Sequence, residues 1–354
     1  MDAPKETPPV GDILSAIGNT PLVEIKSLSA ALGRKIFGKC EMMNPGGSVK
    51  DRPALRMITE AENAGLLKPG DTIVEGTGGN TGVGLALVAA AKGYKAIMAM
   101  PASIAREKID SMKVYGAQVK LCQSAPFTSM DHYFHVAKTL GEKDGFFFCN
   151  QFENLNNSAA HFETTGPEIF SALQGNIDGF VCSAGTGGTI SGISRYLKAQ
   201  DERIQCYLID PVGSGLFDYV TTDKGNVYTD SQLPSTTFIK RSEGDSMTEG
   251  IGIGRVTKNF STSAIDGAFR GTDREAVEMA YYLLQHDGIF LGPSASLNVV
   301  GAVKLARTLP AGSSVVTIFC DGGANYRSKL YNEEWLKEKE LLPQEAGKGL
   351  DFVH

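Results

Sequence analysis

The sequence predicts an α/β protein with two open, twisted, mostly parallel sheets, helices on both faces of each, and an active site in the cleft between them. Three observations lead there. Short apolar runs alternate with helix-patterned segments along most of the chain. The alternation runs βαβαβ, breaks, and starts again, so two sheets are expected. The 41 glycines among 354 residues fall in clusters, and several clusters sit where a strand passes into a helix. Clustered glycine there means tight turns and close backbone approach to a ligand. At roughly 150 residues per domain, the length also favours two domains.

The elements follow in order. Residues 72–74 form a strand that ends at Glu75-Gly76, and after a glycine-rich turn a helix covers 81–92 and stops at Gly93. Residues 95–100 are a strand closed by Pro101, and 106–115 are a helix stopped by Gly116. A strand at 118–122, a helix at 132–140 and a buried strand at 145–149 complete the first unit. The second unit opens with a strand at 180–183, a helix at 187–198 and a strand at 204–209. A loop-rich stretch, 211–260, separates these from helices at 275–285 and 297–308 and a strand at 314–320. The expected division is a smaller α/β domain at 46–155, a larger one from 11–45 plus 156–332, and a tail at 333–354. The tail is charged and helical at 333–340, and its last dozen residues are expected to fray.

Composition narrows the function. The net charge is -6 and no basic stripe is visible, which argues against nucleic-acid binding. No apolar run approaches the ~18 residues of a membrane span. Residues 1–10 are polar and Pro-rich, without the pattern of a signal or transit peptide, so a cytoplasmic protein is expected. The six cysteines are scattered, form no CxxC pair and read as reduced core thiols. The five histidines show no metal-ligand spacing; His132 and His135 read as solvated or satisfied helix residues, and no metal is expected. Arg106-Glu107-Lys108 reads as a solvated helix face.

Four segments carry chemistry. In Asn44-Pro45-Gly46-Gly47-Ser48-Val49-Lys50, a turn delivers Lys50 to a helix start. The dipole there disfavours a further positive charge, which suits amine and Schiff-base chemistry. The spacing alone also fits a surface lysine flanked by Asp51 and Arg52. In Glu75-Gly76-Thr77-Gly78-Gly79-Asn80-Thr81-Gly82, backbone N–H groups converge at a helix start and form a nest for a carboxylate or phosphate. Ser183-Ala184-Gly185-Thr186-Gly187-Gly188-Thr189 is a second cradle of the same type. It is neither GxGxxG, because residue 190 is Ile, nor a Walker loop, because no Lys follows Gly188. Both glycine-rich stretches also fit an ordinary strand-to-helix turn. Leu291-Gly292-Pro293-Ser294-Ala295-Ser296 fails GxSxG, and either serine fits a helix N-cap.

Taken together and in this order, the segments resemble the cysteine synthase (O-acetylserine sulfhydrylase) and cystathionine β-synthase family of fold type II pyridoxal-phosphate enzymes, whose fold is tryptophan synthase β-like. The resemblance covers residues 11–332. It includes Ile17-Gly18-Asn19-Thr20-Pro21-Leu22-Val23, the Lys50 segment, the Gly79-Asn80-Thr81-Gly82 loop, 151–157, 161–169, Thr248-Glu249-Gly250-Ile251-Gly252 and Tyr326-Arg327-Ser328-Lys329-Leu330. It implies that Lys50 holds pyridoxal 5'-phosphate covalently and acts as the catalytic base. Asn80 would bond the ring hydroxyl, Gly185, Thr186, Gly187, Gly188 and Thr189 would cradle the phosphate, and Ser294 would face the pyridine nitrogen. Thr77, Gly78, Asn80, Thr81 and Gln151 would surround the substrate carboxylate. The implied reaction is β-replacement on an O-activated L-serine. O-acetyl-L-serine and sulfide would give L-cysteine and acetate through an aminoacrylate intermediate, with ping-pong kinetics.

Three departures bear on specificity. Gly78 stands where the family usually has Ser, Ala105 where it often has Ser, and Pro293 with Ala295-Ser296 replaces a common Ile-Ser-Ser-Gly. Condensation of serine with homocysteine, or β-substitution with another nucleophile, stays open. So does a non-catalytic homologue that binds a partner's C-terminal peptide, against which Lys50, Asn80 and Ser294 argue. The family also implies a homodimer and a serine acetyltransferase C-terminal peptide as a partner.

Overall fold

The computed structural model describes residues 11–102, 104, 106–346 and 348–354. The Pro-rich segment 1–10 and the Ala105 departure lie outside the described residues. Among the described residues there are twelve strands: β1 (Leu22–Glu24), β2 (Lys35–Lys39), β3 (Thr72–Gly76), β4 (Lys95–Pro101), β5 (Gln118–Cys122) and β6 (Phe146–Phe148). The remainder are β7 (Gly179–Cys182), β8 (Gln205–Pro211), β9 (Val227–Asp230), β10 (Leu233–Ile239), β11 (Gly267–Gly271) and β12 (Ser314–Ile318).

Two sheets carry the molecule. One has the order β5-β4-β3-β6 and is parallel throughout. The other has the order β1-β2-β12-β7-β8-β11 and is parallel except for the edge pair β1–β2. Their central strands β3, β7 and β12 are buried at every position. This is what continuous apolar runs covered on both faces require. One core cluster forms around the helix Asn80–Lys92 and the strands beside it, and a second around the helices Gly188–Gln200 and Pro293–Thr308.

The order of strands places the site. In the first sheet the chain steps outward from β3 to β5, then returns to lay β6 on the other side of β3. The second sheet reverses in the same way between β7 and β12. Ligands bind beyond the carboxyl ends of strands at such reversals. The two glycine-rich loops leave from the ends of β3 and β7.

Several expectations are corrected. The stretch 211–260 is not plain loop: it holds the helix Leu216–Thr221, the antiparallel hairpin β9–β10 and the start of the helix Lys258–Ser261. Strands β1, β2 and β11 are further elements beyond those predicted. The second late helix begins at Pro293, four residues earlier than expected, because proline suits the first helical turn. The chain end does not fray. Phe352 and Val353 are buried, and Arg307 donates to the carbonyls of Leu350 and Val353.

Candidate active site

Lys50 is the N-cap of the helix Asp51–Asn63. The turn before it depends on Gly47, at φ 81°, and on Asn44, whose Nδ2 donates to the carbonyls of Glu41 (2.9 Å) and Ser48 (3.2 Å). The flanking residues are not a solvated surface: Asp51 and Arg52 are both buried. Arg52 pairs with Glu41 at 2.7 Å and Glu168 at 2.6 Å, and Lys39 pairs with Glu168 at 2.6 Å. Burial works against the Glu168 carboxylate, but hydrogen bonds from Arg52 and Lys39 bring its pKa down to about 2. This paired cluster anchors the helix that starts at Lys50. The Lys50 amine itself makes no hydrogen bond or ion pair with any described residue, and it lines a cavity of about 780 Å³.

The loop after β3 forms one wall. Gly79, at φ 147°, turns the chain into the helix Asn80–Lys92. The N–H groups of Gly78, Asn80 and Thr81 have no partner among the described residues. Thr81 Oγ1 donates to Gln151 Oε1 at 2.6 Å, and Gln151 Nε2 donates to the Gly76 carbonyl at 3.0 Å. Beneath them lies Glu75, fully buried, accepting from the N–H groups of Gln151 (3.1 Å) and Gly76 (3.0 Å). Burial pushes its carboxyl up to about 8 against those donors. A Cβ at Gly78 would meet, among the described residues, only Ile104 Cδ1 at 4.0 Å, so this position is open on that side.

The loop after β7 forms the other wall. Gly187, at φ 83°, caps the helix Gly188–Gln200. The N–H groups of Gly185, Thr186, Gly187 and Thr189 are free of described partners. Asn157 Nδ2 donates to Thr186 Oγ1 at 3.0 Å, and His161 Nε2 contacts Thr189 Oγ1 at 3.2 Å. Burial, then the charges of Arg52 and Lys50, hold the His161 imidazole well below its ordinary value. Ser294 lines the same cavity from the first turn of the helix Pro293–Thr308. Neither serine of its segment is the N-cap, because Gly292 takes that position and Ser296 Oγ donates back to the Gly292 carbonyl at 3.0 Å.

A family model described as pyridoxal-phosphate dependent enzyme matches residues 13–321. The chain belongs to this family. It is 46% identical over 344 residues to a cysteine synthase of Dictyostelium discoideum, spanning 96% of this chain and 89% of that protein. A solved O-acetylserine dependent cystathionine beta-synthase from Helicobacter pylori superposes with a TM-score of 0.79 at 33% identity, covering 91% of this chain and 99% of that one. A hydrogen sulfide-producing enzyme from Fusobacterium nucleatum gives 0.78 at 33% identity, covering 90% and 99%.

A pyridoxal-phosphate enzyme must seat a phosphate, an aldehyde carbon and a pyridine ring, and the residues here fit. The phosphate-type loop has no room for side chains: a Cβ at Gly185 would meet the Gly250 carbonyl oxygen at 2.0 Å, and one at Gly188 would meet Asn157 Oδ1 at 2.0 Å. Lys50, Ser294, the β3 loop and Gly185 with Thr186 of the β7 loop line one cavity, whereas Gly187, Gly188 and Thr189 stand behind that lining.

Sequence reasoning missed part of the site. Lys108 is not on a solvated face. It is 2% exposed and pairs with Glu249 at 2.6 Å. Asn80 Nδ2 donates to Asp321 Oδ2 at 2.7 Å, and Tyr326 donates to the same oxygen at 2.6 Å. Burial raises Asp321 above the usual carboxylate range, while Lys108, Tyr326 and Asn80 pull it back. The sequence signals for this network are Thr248-Glu249-Gly250 and Tyr326-Arg327-Ser328-Lys329, which the resemblance includes without implying a role.

Proposed function

We propose that the chain catalyses β-replacement on an O-activated L-serine, taking O-acetyl-L-serine and sulfide to L-cysteine and acetate. The observation that carries this reading is the unpaired Lys50 amine in a cavity lined by the β3 nest and by Gly185 and Thr186 of the β7 nest. Pyridoxal phosphate, when bound, supplies the electron sink for a carbanion at the substrate α-carbon. Lys50 would hold it, with Gly185, Thr186, Gly187, Gly188 and Thr189 around its phosphate, Asn80 at its ring hydroxyl and Ser294 at its ring nitrogen. Thr77, Gly78, Asn80, Thr81 and Gln151 would take the substrate carboxylate, since loop N–H groups and Thr81 converge there.

The Lys50 amine, once free, would take the α-proton as general base. Acetate leaves the β-carbon with its electron pair, sulfide adds there, and Lys50 returns the proton to the α-carbon. Ser294 offers the ring nitrogen a neutral hydroxyl and no charge, which favours expulsion of a β-group over transamination. Cysteine formation from O-acetylserine and sulfide, assayed in the parent and in Lys50→Ala, tests this reading. Loss of at least about 10²-fold is expected, the scale of a positioned general base. A variant as fast as the parent would refute it.

A second reading is condensation of serine with homocysteine. The cystathionine beta-synthase name of the Helicobacter pylori enzyme and the open space at Gly78 favour homocysteine as acceptor, whereas the O-acetylserine dependence of that enzyme favours the acetylated donor over serine. Substituting these two substrates in the same assay separates the readings. The family resemblance also supports a cytoplasmic homodimer and a serine acetyltransferase C-terminal peptide as partner. Size-exclusion chromatography and titration with that peptide test them.

A further inference from the structure

We propose that Asp321, held in turn by Tyr326 and Lys108, fixes the orientation of the Asn80 amide and so sets the protonation form of the ring hydroxyl of bound pyridoxal phosphate. This rests on the reading above, in which Asn80 faces that hydroxyl. An unbroken chain of contacts runs from solvent to Asn80. Lys329, partly exposed, pairs with Glu249 Oε1 at 2.6 Å, and Glu249 Oε2 pairs with Lys108 Nζ at 2.6 Å. Lys108 Nζ donates to the Tyr326 hydroxyl at 3.0 Å, Tyr326 donates to Asp321 Oδ2 at 2.6 Å, and Asn80 Nδ2 donates to that oxygen at 2.7 Å. Lys108, Tyr326 and Asp321 are all buried.

The polarity of this chain is forced. An ammonium only donates, so the tyrosine must accept from Lys108 and turn its single proton toward Asp321. A carboxylate only accepts, so Asn80 must present its nitrogen to Asp321. Flipping the amide would set two acceptor oxygens against each other. With one Nδ2 hydrogen committed to Asp321, the second is left to donate into the cavity. A donor there stabilises the deprotonated ring oxygen.

The packing makes room for this chain of contacts. A Cβ at Gly79 would meet Lys108 Cδ at 2.8 Å, so glycine beside Asn80 lets the lysine stem pass under the loop. The chain also crosses the cleft. Asn80 and Lys108 come from the β3–β4 and β4–β5 connections, whereas Glu249, Asp321 and Tyr326 come from segments flanking the six-stranded sheet.

The test compares absorption spectra of the purified holoenzyme at one pH for the parent, Tyr326→Phe, Asp321→Asn and Lys108→Met, with Asn80→Ala as reference. The two protonation forms of the ring hydroxyl absorb at different wavelengths, so the ratio of the two bands is the readout. Asn80→Ala is expected to move the ratio toward the protonated form. Tyr326→Phe and Asp321→Asn move it the same way by about five-fold, the scale of one hydrogen bond. Lys108→Met moves it less. Tyr326→Phe keeps the ring packing and remains informative if Asp321→Asn fails to fold. A parent-like ratio in Tyr326→Phe beside a shifted Asn80→Ala would overturn the relay. A parent-like ratio in Asn80→Ala would also overturn it. Failure of the parent to bind pyridoxal phosphate would instead overturn the functional reading.

Discussion

Gly188 has no space for a methyl group, since Asn157 Oδ1 would lie 2.0 Å from its Cβ. Asn157 is held there by donating to the Gln151 carbonyl at 2.8 Å and to Thr186 at 3.0 Å, so it cannot retreat cheaply. Gly188→Ala is expected to weaken pyridoxal-phosphate affinity about ten-fold or more, the scale of a forced overpacking, read by cofactor titration. Glu75 gives a pH signature. Its folded-state pKa of about 8 lies above the ordinary carboxyl range. Its contribution to stability is therefore fully present below the ordinary glutamate pKa and lost as pH rises through about 8. Thermal melts should show Glu75→Gln gaining on the parent between about pH 5 and pH 9. A pH-independent difference would show that Glu75 does not titrate in this window. At this scale, legibility followed locality. Lys50, Asn80 and Ser294 sit in short motifs whose turn chemistry can be read in place. Lys108 reads as solvated because its partners Glu249 and Tyr326 are 141 and 218 residues away.

Strands bounded by clear turn residues in a strand–helix alternation were readable, the edge strands β5 and β6 included, whereas β2, β9 and β11 were not. Strands β3, β7 and β12 announce themselves as apolar runs. Strand β11 reads Gly-Ala-Phe-Arg-Gly, with two glycines in five residues, a composition poor for strands. It forms because it pairs with β8 along its whole length, and its glycines admit neighbours: Cβ atoms at Gly267 and Gly271 would meet Tyr207 at 2.7 Å and Leu297 at 2.5 Å. The hairpin strand β9 is exposed at three of its four positions, so no apolar alternation marks it. The helix Asp273–Asp287 is fixed by a capping box in which Thr272 and Glu275 satisfy each other's backbone N–H. Thr272→Ala should cost about 1 kcal/mol of stability, read from urea unfolding, with the cofactor spectrum unchanged.

The whole molecule brings together groups that neither sheet holds alone. The β3 loop supplies Asn80 and Thr81, the β7 loop supplies the phosphate-type cradle, and the end of β12 supplies Asp321 between them. Lys50 stands at the junction, its helix tied to the rest by the Arg52, Glu41, Glu168 and Lys39 cluster. Two sheets facing one cleft were legible from the restarted βαβ pattern. The cross-cleft ties were not, because pairings over such separations leave no periodicity in a single chain. The docked tail was misread for a related reason: Leu350, Phe352 and Val353 are too few to show a pattern, yet all three are buried.

The most direct test of the central claim is acetate release from O-acetyl-L-serine by the holoenzyme with no sulfide present. The two half-reactions assigned to Lys50 predict a rapid burst of one acetate per active site, a change in the cofactor absorption, and turnover only when sulfide is added. Acetate appearing only when sulfide is present, with no spectral change before it, would contradict the account.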